Sequence, residues 1–379
     1  MKKIASVLLV LALTLCSFAF AEGVAPEDMK IGFICIGDEN SGYDANFLRG
    51  ASEAMEALGL NADQLIVKYN ILENQDAYDA AVDLAEAGCS YIFADSFGHE
   101  DYIKLVAEEY PEIQFSHATG YQAASSGLEN LHNCFASIYE ARYVAGIVAG
   151  MKLNEMIEAG KFTAEQAKVG YVGAFPYAEV VSGYTSFFLG MRSVCPSVTM
   201  TVKYTNNWGD FALEKEAAEA LIAQGCVLIR QHADTTGAPT ACEAAGVPCV
   251  GYNIDMTAVA PTTALVSSRI NWAPYLTMAI QAVMNGENFD TDWCQGYADG
   301  AVAITALNEA AVAEGTAEAV EAAEAALAAG ELHVFDASTF TVGGEAPESE
   351  HIYDGYFHES ETASAPYFDL RIDGIEELA

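Results

Sequence analysis

Two predicted strands end in residues that could hold a flat, polar ligand. Residues 198–204 are followed by Trp208, and residues 227–230 are followed by His232 and Asp234. A tryptophan ring stacks on planar heteroaromatic groups, and imidazole and carboxylate groups form hydrogen bonds at the rim of such a group. In open α/β sheets, small ligands bind at the carboxyl ends of the strands. The spacing therefore favours a small-molecule site over purely local packing of these loop residues.

Other predicted strand ends supply residues of the same kinds. They are Tyr43 and Asp44 after residues 30–36, Asp95 and Phe97 after residues 90–94, His117 after residues 113–116, Phe175 at the end of residues 168–175, and Asn253 and Asp255 after residues 248–252. For any single aromatic residue, core packing is the more common role, and Asp44 and Asp95 could equally cap helices. The set as a whole favours a binding site.

The elements that carry these residues alternate regularly between strand and helix. This order predicts an α/β protein with two doubly wound lobes joined by hinge crossings, with the ligand in the cleft between them. Residues 28–137 with 262–288 are expected to form the first lobe, and residues 138–261 with 289–340 the second. In this interpretation the strand 264–270 crosses back to the first lobe. Residues 341–379 are read as an acidic, loop-like C-terminal segment.

The N-terminal residues have the pattern of a signal peptide. Lys2 and Lys3 precede an apolar run at residues 4–15, and residues 19–21 (AFA) form a small-residue cleavage site. We therefore exclude residues 1–21 from fold reasoning and expect export across the cytoplasmic membrane, to the periplasm or the cell surface. A lipid anchor at Cys16 is the less favoured alternative, because Leu15 stands where lipoprotein signals have a small residue.

Charge and cysteine usage exclude several functions. The net charge is −38, so the surface repels nucleic acid polymers and anionic membranes. Eight cysteines follow residue 21, but none forms a C-x-x-C pair, so zinc and thioredoxin-type chemistry have no support. Cys242 and Cys249 could form a disulfide, which spacing alone does not decide. We expect neither a metal nor a cofactor.

Several short stretches, each at a loop or a helix start, resemble the basic membrane protein (BMP) family of ABC-transporter solute-binding proteins. They are residues 96–98 (SFG), 117–121 (HATGY), 139–146 (YEARYVAG), 170–176 (GYVGAFP), 206–208 (NNW) and 270–275 (INWAPY). The resemblance runs from about residue 30 to about residue 303. It implies the type I periplasmic-binding-protein fold, a purine nucleobase or nucleoside as ligand, and membrane permease and ATPase subunits as partners. A monomer is expected.

The resemblance also implies roles for individual residues. Tyr43 and Trp208 fall where the two rings that stack on the base would lie, and Asp255 matches a ligand-binding carboxylate. Asn271, followed by Trp272, stands in place of the family's lysine, and His117 stands where many members have an aspartate. Because that lysine and carboxylates hold the sugar hydroxyls in the family, these two differences favour a free nucleobase over a nucleoside. The remaining candidate ligand-binding residues are Asp44, Phe97, Phe175 and Asp234.

Two alternatives to a transport protein stay open. Aspartates with His117 and His232 could act as acid–base groups in a nucleoside hydrolase. However, the chain has no G-x-S-x-G, Walker or H-E-x-x-H motif, and no Asp-rich loop that would hold calcium. We therefore expect a protein that is not an enzyme. A sensor that presents its ligand to a membrane receptor is the second alternative.

Overall fold

The computed structural model describes residues 23–378, which form two largely parallel sheets covered by helices. The predicted signal peptide and Cys16 lie outside the described residues. Within that range, none of the helices combines the length and the hydropathy that a membrane span requires.

The described residues contain the following regular elements. The strands are β1 (Ile31–Ile34), β2 (Leu65–Lys68), β3 (Tyr91–Ala94), β4 (Gln114–Ala118), β5 (Leu131–Ala136), β6 (Lys168–Gly173), β7 (Thr199–Tyr204), β8 (Leu228–Gln231), β9 (Cys249–Tyr252), β10 (Ala264–Ile270), β11 (Asp292–Gln295), β12 (Val302–Ile304), β13 (Ile352–Tyr353), β14 (Tyr356–Phe357) and β15 (Ile375–Glu377). The α-helices are α1 (Gly42–Leu58), α2 (Gln75–Glu86), α3 (Glu100–Glu109), α4 (Ala123–Ser126), α5 (Ile138–Glu158), α6 (Ala178–Val194), α7 (Phe211–Ala223), α8 (Gly237–Ala245), α9 (Ala273–Asn285) and α10 (Thr316–Ala328).

The two sheets have the same doubly wound core. The first has the order β11-β5-β4-β3-β1-β2, with all strands parallel. The second has the order β12-β10-β9-β8-β6-β7-β15, in which only β12 runs antiparallel to its neighbour. The strand order reverses between β1 and β3 in one sheet and between β6 and β8 in the other. Such switch points leave a crevice outside the carboxyl ends of the strands.

Helix packing in the second lobe depends on glycine. Gly146 of α5 lies against the backbone of α6, and Gly190 of α6 lies against the backbone of α5. A side chain at either position would force the two helices apart, because the Cβ atom would overlap a carbonyl oxygen of the other helix. The close approach buries the apolar face of α6, including Tyr184 and Phe187, in the core of this lobe.

Three connections join the lobes: β5 to α5, β10 to α9, and β11 to β12. They lie side by side. The Glu140 carboxylate accepts a hydrogen bond from the Tyr297 N–H at 2.7 Å, and the Asn271 N–H donates to the Ala301 carbonyl at 2.8 Å. The three connecting segments therefore form one hinge.

The structure corrects the predicted course of the chain near this hinge. The prediction that the strand 264–270 belongs to the first lobe is wrong, because β10 pairs with β9 in the second sheet. Conversely, β11 lies within residues 289–340, which were assigned to the second lobe, but pairs with β5 in the first sheet. A buried apolar strand carries no local signal for which of two similar sheets it joins.

The C-terminal segment is more than the acidic loop that its composition suggests. Phe357, Phe368 and Ile372 are buried in the core of the second lobe, and β15 extends the second sheet beside β7. The segment also reaches the first lobe, where the Ser364 N–H donates to the Asp292 carboxylate at 2.7 Å. Most acidic residues of the segment lie on the surface, and its apolar residues pack into the core beneath them.

Candidate functional site

The first wall of the cleft forms where β1 and β3 end. Helix α1 begins at Gly42 because the Ser41 side chain caps its first turn, accepting from the Asp44 N–H. The Tyr43 hydroxyl donates to the carbonyl oxygen of Asp95, and its ring packs edge-on against Phe47 with centroids 4.9 Å apart. These contacts hold Tyr43 over the switch point of the first sheet.

A pair of buried carboxyl groups lies beneath Tyr43. Asp44 accepts from the Gly37 N–H at 2.9 Å, and Asp95 accepts from the Ile36 N–H at 3.0 Å. The second oxygen of each group is buried without a hydrogen-bond partner. Burial and the nearby Asp44 raise the pKa of Asp95 well above its ordinary range. Asp44 and Asp95, with Cys35, are also the single set of three possible metal ligands among residues 23–378, within 4.8 Å of one another.

The two lobes meet at the start of α1. A Cβ atom added to Gly42 would lie 3.3 Å from the Ile254 side chain and 3.4 Å from the Asp234 carbonyl oxygen. Burial, Asp95 and Asp234 together raise the pKa of Tyr43 well above its ordinary value. A residue of the first wall therefore lies within the electrostatic reach of the second.

The second wall carries an aromatic cluster at the switch point of its own sheet. Phe175 follows β6, Trp208 follows β7 and His232 follows β8. The Trp208 ring lies 5.9 Å from Phe175 and 6.0 Å from His232, between centroids, and remains half-buried. Phe175 also stacks on Tyr177 at 5.0 Å. The cluster presents aromatic faces of the kind that hold a planar group.

His232 is fixed by a buried network rather than exposed to the cleft. Its Nε2 lies 2.9 Å from Glu179, and its Nδ1 lies 2.7 Å from the Tyr171 hydroxyl. Arg142, also fully buried, contacts His232 and forms an ion pair of 2.9 Å with Glu179. Burial and Arg142 lower the pKa of His232 to about 4, so the ring is neutral at pH 7. In that state Nε2–H donates to Glu179 and Nδ1 accepts from Tyr171.

Glu179 remains ionised although its side chain is only 19% exposed. His232 and Arg142 outweigh the effect of burial and lower the pKa of Glu179 to about 2. The Arg142 guanidinium also lies 4.7 Å above the ring of Tyr252, which itself lies 5.2 Å from His232. The network thus joins α5, α6, β8 and β9 behind the aromatic cluster.

Asp234 links the two walls. Its N–H donates to the Trp208 carbonyl at 2.8 Å, which ties the loop after β8 to the loop after β7. Burial comes first among the causes that raise its pKa well above the ordinary range, followed by Glu214, Glu179 and Asp44. Asp234 is therefore a carboxyl group that favours its protonated form and can donate a hydrogen bond.

Two candidates of the first lobe have different surroundings. The Phe97 ring is 53% exposed and stacks on the Tyr121 ring, 57% exposed, at 6.1 Å. His117 is fully buried, and its Nε2 lies 2.6 Å from the Ser96 carbonyl. Burial lowers the pKa of His117 to about 4. Phe97 is thus accessible to a ligand or partner, whereas His117 holds the loop that carries Phe97.

Three further candidates differ in their surroundings: Asn271 and Trp272 lie at the hinge, and Asp255 lies in the loop after β9. The prediction that Trp272 binds ligand is wrong, because its ring is 1% exposed and stacks on Phe47 at 4.2 Å in the core of the first lobe. The Asn271 amide donates to the Gly300 carbonyl at 2.9 Å within the hinge. Asp255 is exposed and caps a short helical turn by accepting from the Thr257 N–H at 2.9 Å. Ligand-binding roles for Asn271 and Asp255 stay predictions.

Sequence reasoning missed most of the network behind the second wall. It singled out His232 but gave no role to Arg142, Glu179, Tyr171 or Tyr252. One local signal was present, since Arg142 is the single basic residue in residues 139–146 (YEARYVAG), a helical stretch that is otherwise apolar apart from Glu140. A buried arginine requires hydrogen-bond acceptors, and a carboxylate forms the strongest of these hydrogen bonds. No spacing rule could identify that partner as Glu179, 37 residues away on another helix.

Residues 34–329 match the Bmp family, which is described as ABC transporter substrate-binding proteins like PnrA. The chain belongs to this family. Bmp proteins are extracytoplasmic, and the family is one of solute-binding proteins rather than enzymes. The match covers the strands and helices that form both walls of the cleft.

Two relatives show how closely this Bmp protein resembles other solute-binding proteins. It is 32% identical over 334 residues to a purine-binding protein of Brucella abortus, covering 86% of this chain and 90% of that protein. It is also 32% identical over 297 residues to a putative ABC transporter glucose-binding protein, TsgA13, of Haloferax volcanii, covering 78% and 71% of the two chains. The names of the two relatives refer to different ligands.

Solved structures confirm the fold. A solute-binding protein of Conexibacter woesei superposes with a TM-score of 0.66 at 20% identity, covering 80% of this chain and 98% of that one. Another from Aeropyrum pernix superposes with a TM-score of 0.65 at 16% identity, covering 85% and 94%. At these identities the likeness concerns architecture alone. It confirms the predicted periplasmic-binding-protein fold with two α/β lobes.

Proposed function

We propose that this protein captures a purine, as a free base or a nucleoside, in the cleft between its lobes. The observation that carries the proposal is the pairing of switch points across the cleft. Tyr43 lies on one wall and Trp208 on the other, and Asp234 is within electrostatic reach of the first and hydrogen-bonded to the second. A flat ring held between them would gain roughly 0.5–1.5 kcal/mol per stacked pair beyond the area that it buries.

The carboxyl groups suit the edge of a purine. A purine base offers both N–H donors and ring-nitrogen acceptors, so a site that reads it needs donors and acceptors of its own. A protonated Asp234 donates one hydrogen bond and accepts others, and the Asn253 amide lies 3.5 Å from its carboxyl oxygen. A buried polar site of this kind rejects analogues that lack the matching groups.

The free base is the preferred form of the ligand. The family's lysine is replaced by Asn271, whose amide is engaged by the Gly300 carbonyl, and its aspartate is replaced by the buried His117. Neither residue offers a charged group to the hydroxyls of a ribose. We infer that the sugar contributes little affinity.

We also infer that the loaded protein is a monomer that delivers its ligand to an ABC permease outside the cytoplasm. Closure of two hinged lobes around the ligand gives the permease a distinct form to recognise. The net charge of −38 keeps the protein soluble and away from anionic lipid and nucleic acid. A glucose-like ligand is the second candidate, favoured by the Haloferax relative's name.

A ligand panel tests the proposal. Isothermal calorimetry and thermal unfolding are measured with adenine, adenosine, guanine, guanosine and glucose. Purines should raise the unfolding temperature, because a ligand that binds only the folded state stabilises it by mass action. Adenine should bind at least as tightly as adenosine. Binding of glucose without any purine would replace the proposal by its alternative.

Substitution of Trp208 tests the site itself. Trp208→Ala should weaken purine binding by more than about tenfold while the protein still unfolds cooperatively, since the ring is half-buried and lies at the edge of its cluster. The matched control is Tyr353→Ala, which removes a 46% exposed ring from the C-terminal segment. Unchanged affinity in Trp208→Ala would contradict the proposed site.

A further inference from the structure

We propose that Glu214, a buried residue of α7, is a positioning residue that holds the loop carrying Asp234 in place for ligand binding. The inference rests on the proposed function, in which Asp234 binds the edge of the ligand and Trp208 stacks on its face. Glu214 acts through residues 233–235, which follow β8, and not by contact with the ligand. It therefore adds a supporting residue to the second wall of the cleft.

The first turn of α7 buries an acid and exposes its apolar neighbours. Phe211 is 45% exposed and Leu213 is 40% exposed, whereas Glu214 is 0% exposed. Burial of a carboxyl group is unfavourable unless hydrogen bonds compensate for the lost contact with water. Burial also raises the pKa of Glu214 to about 7, so the group is present in both protonation states near neutral pH. The polar contacts of Glu214 therefore account for its position better than packing does.

Both oxygens of the Glu214 carboxyl group accept hydrogen bonds from the segment at the end of β8. Oε1 accepts from the Thr235 N–H at 3.0 Å, and Oε2 accepts from the Gln231 side chain at 3.2 Å. The same Gln231 nitrogen donates to the Ala233 carbonyl at 2.6 Å and to the Thr235 carbonyl. Glu214 and Gln231 therefore bind backbone groups on both sides of Asp234. We call this set of contacts the Glu214–Gln231 clasp.

The clasp lies where two ligand-binding loops meet. Trp208 belongs to the loop before α7, and its carbonyl accepts from the Asp234 N–H at 2.8 Å. Gly237, at the start of α8, packs so closely on the first turn of α7 that a Cβ atom would overlap the Phe211 carbonyl oxygen. Thr235 lies between these two points in the sequence, so the clasp fixes the middle of the loop. A carboxyl group held in this way loses less conformational freedom when it binds a ligand.

Four variants separate the clasp from packing. Glu214→Met removes both acceptor oxygens but keeps a long side chain, whereas Glu214→Gln keeps Oε1 for the Thr235 N–H and resembles the protonated acid. In both variants the Gln231 nitrogen retains its two backbone carbonyl acceptors. Gln231→Leu removes the other half of the clasp without a change in α7. The matched control is Glu216→Met, an exposed substitution on the same helix.

Hydrogen exchange of a peptide that covers the Asp234 and Thr235 amides tests the clasp without any ligand. Exchange should be at least about tenfold faster in Glu214→Met and Gln231→Leu than in wild type, because the loop opens locally more often. It should stay within about threefold of wild type in Glu214→Gln and Glu216→Met. An unchanged rate in Glu214→Met, or in Gln231→Leu if Glu214→Met does not fold, would overturn the proposal.

Adenine affinity then tests the positioning role. Glu214→Met should bind adenine about tenfold more weakly than wild type, and Glu214→Gln should restore the affinity to within about threefold. In an Asp234→Ala background, Glu214→Met should weaken binding by less than about threefold further, because the two residues act through one loop. Calorimetry at a temperature where all variants are folded measures these differences.

A purely structural role of Glu214 predicts a different pattern. Glu214→Met would then lower the unfolding temperature and weaken adenine binding by the same factor with or without Asp234. Such equal losses would overturn the positioning role. If adenine and the other purines fail to bind wild type, the proposed function fails, while the exchange rates still decide whether Glu214 holds the loop.

Discussion

The two walls of the cleft contain the same kind of group in opposite electrostatic settings. On the second wall, Glu179 lies against Arg142 and His232, and its pKa falls to about 2. On the first wall, Asp95 lies against Asp44, and its pKa rises well above the ordinary range. Asp95 is fully buried, and the Glu179 side chain is 19% exposed. The difference between them lies in their neighbours: His232 and Arg142 face Glu179, whereas another carboxyl group faces Asp95.

This difference shows how a strongly acidic chain can bury carboxyl groups on both sides of a site. The chain has 16 basic and 54 acidic residues, so a cation cannot accompany every buried acid. Arg142 belongs to the charged, rigid network that supports the aromatic cluster of the second wall. The first wall relies on protonation, which leaves a group that donates hydrogen bonds.

The largest effect should follow removal of the cation. Arg142→Met removes the guanidinium group that faces Glu179 and leaves His232 as its remaining partner, so the free energy of unfolding should fall by about 3 kcal/mol. Urea denaturation at pH 7 measures the change. The matched control is Lys215→Met, which breaks an exposed pair with Glu219 and should cost less than about 1 kcal/mol. A loss for Arg142→Met as small as that of the control would contradict the comparison.

Local patterns were sufficient to predict the alternation of strands and helices and the fold. They also placed Tyr43, Phe175, Trp208 and Asp234 at strand ends, because the end of a strand is a local property. The ligand-binding roles of these residues stay predictions. The aromatic residues of the cleft are thus partly predictable from a single sequence, because they follow short, strongly apolar strands.

Long-range packing was not predictable in the same way. Trp272 follows a strand as Trp208 does, yet it turns into the core because Gly50 of α1 leaves room for it there. Likewise, the pairing of β10 with β9 and the ion pair of Arg142 with Glu179 depend on which surfaces meet after folding. These outcomes depend on contacts between segments that are distant in the sequence. The periodicity of apolar residues within one segment gives no information about such contacts.

Acid should weaken the second wall by an intermediate amount. The pKa of Glu179 lies below its ordinary value of 4.5, so its contribution to stability is present above pH 4.5 and is lost as the pH falls toward about 2. Glu179→Gln lacks this titration. The difference in unfolding free energy between wild type and Glu179→Gln should therefore shrink by about 1–2 kcal/mol over that range.

Urea denaturation at several pH values between 5 and 2 checks this prediction, with the exposed Glu53→Gln on α1 as the control. The stability of the control should run parallel to that of wild type, because the Glu53 side chain is exposed on the surface of α1. A constant gap between wild type and Glu179→Gln would mean that Arg142 does not hold Glu179 ionised in the folded protein.

The smallest and most discriminating test concerns Glu140 in the hinge. In the described part of the chain, Glu140 has no basic neighbour such as Arg142. It is also not paired with a second acid, as Asp95 is with Asp44. Burial raises its pKa to about 7, although the Tyr297 N–H stabilises the ionised form. Because the pKa of Glu140 is raised, its effect on stability has the opposite pH dependence to that of Glu179. The contribution of Glu140 to stability is complete below pH 4.5 and declines as the pH rises to about 7.

Glu140→Gln keeps an oxygen for the Tyr297 N–H and does not ionise. Relative to this variant, wild type should lose about 1 kcal/mol of stability between pH 4.5 and 7, in the direction opposite to the Glu179 effect. Urea denaturation between pH 2 and pH 7 measures both slopes with the same assay. If the two slopes have the same sign, burial and pairing do not account for these carboxyl groups. Opposite slopes in one protein would show that neighbouring basic groups decide whether its buried and partly buried acids are charged.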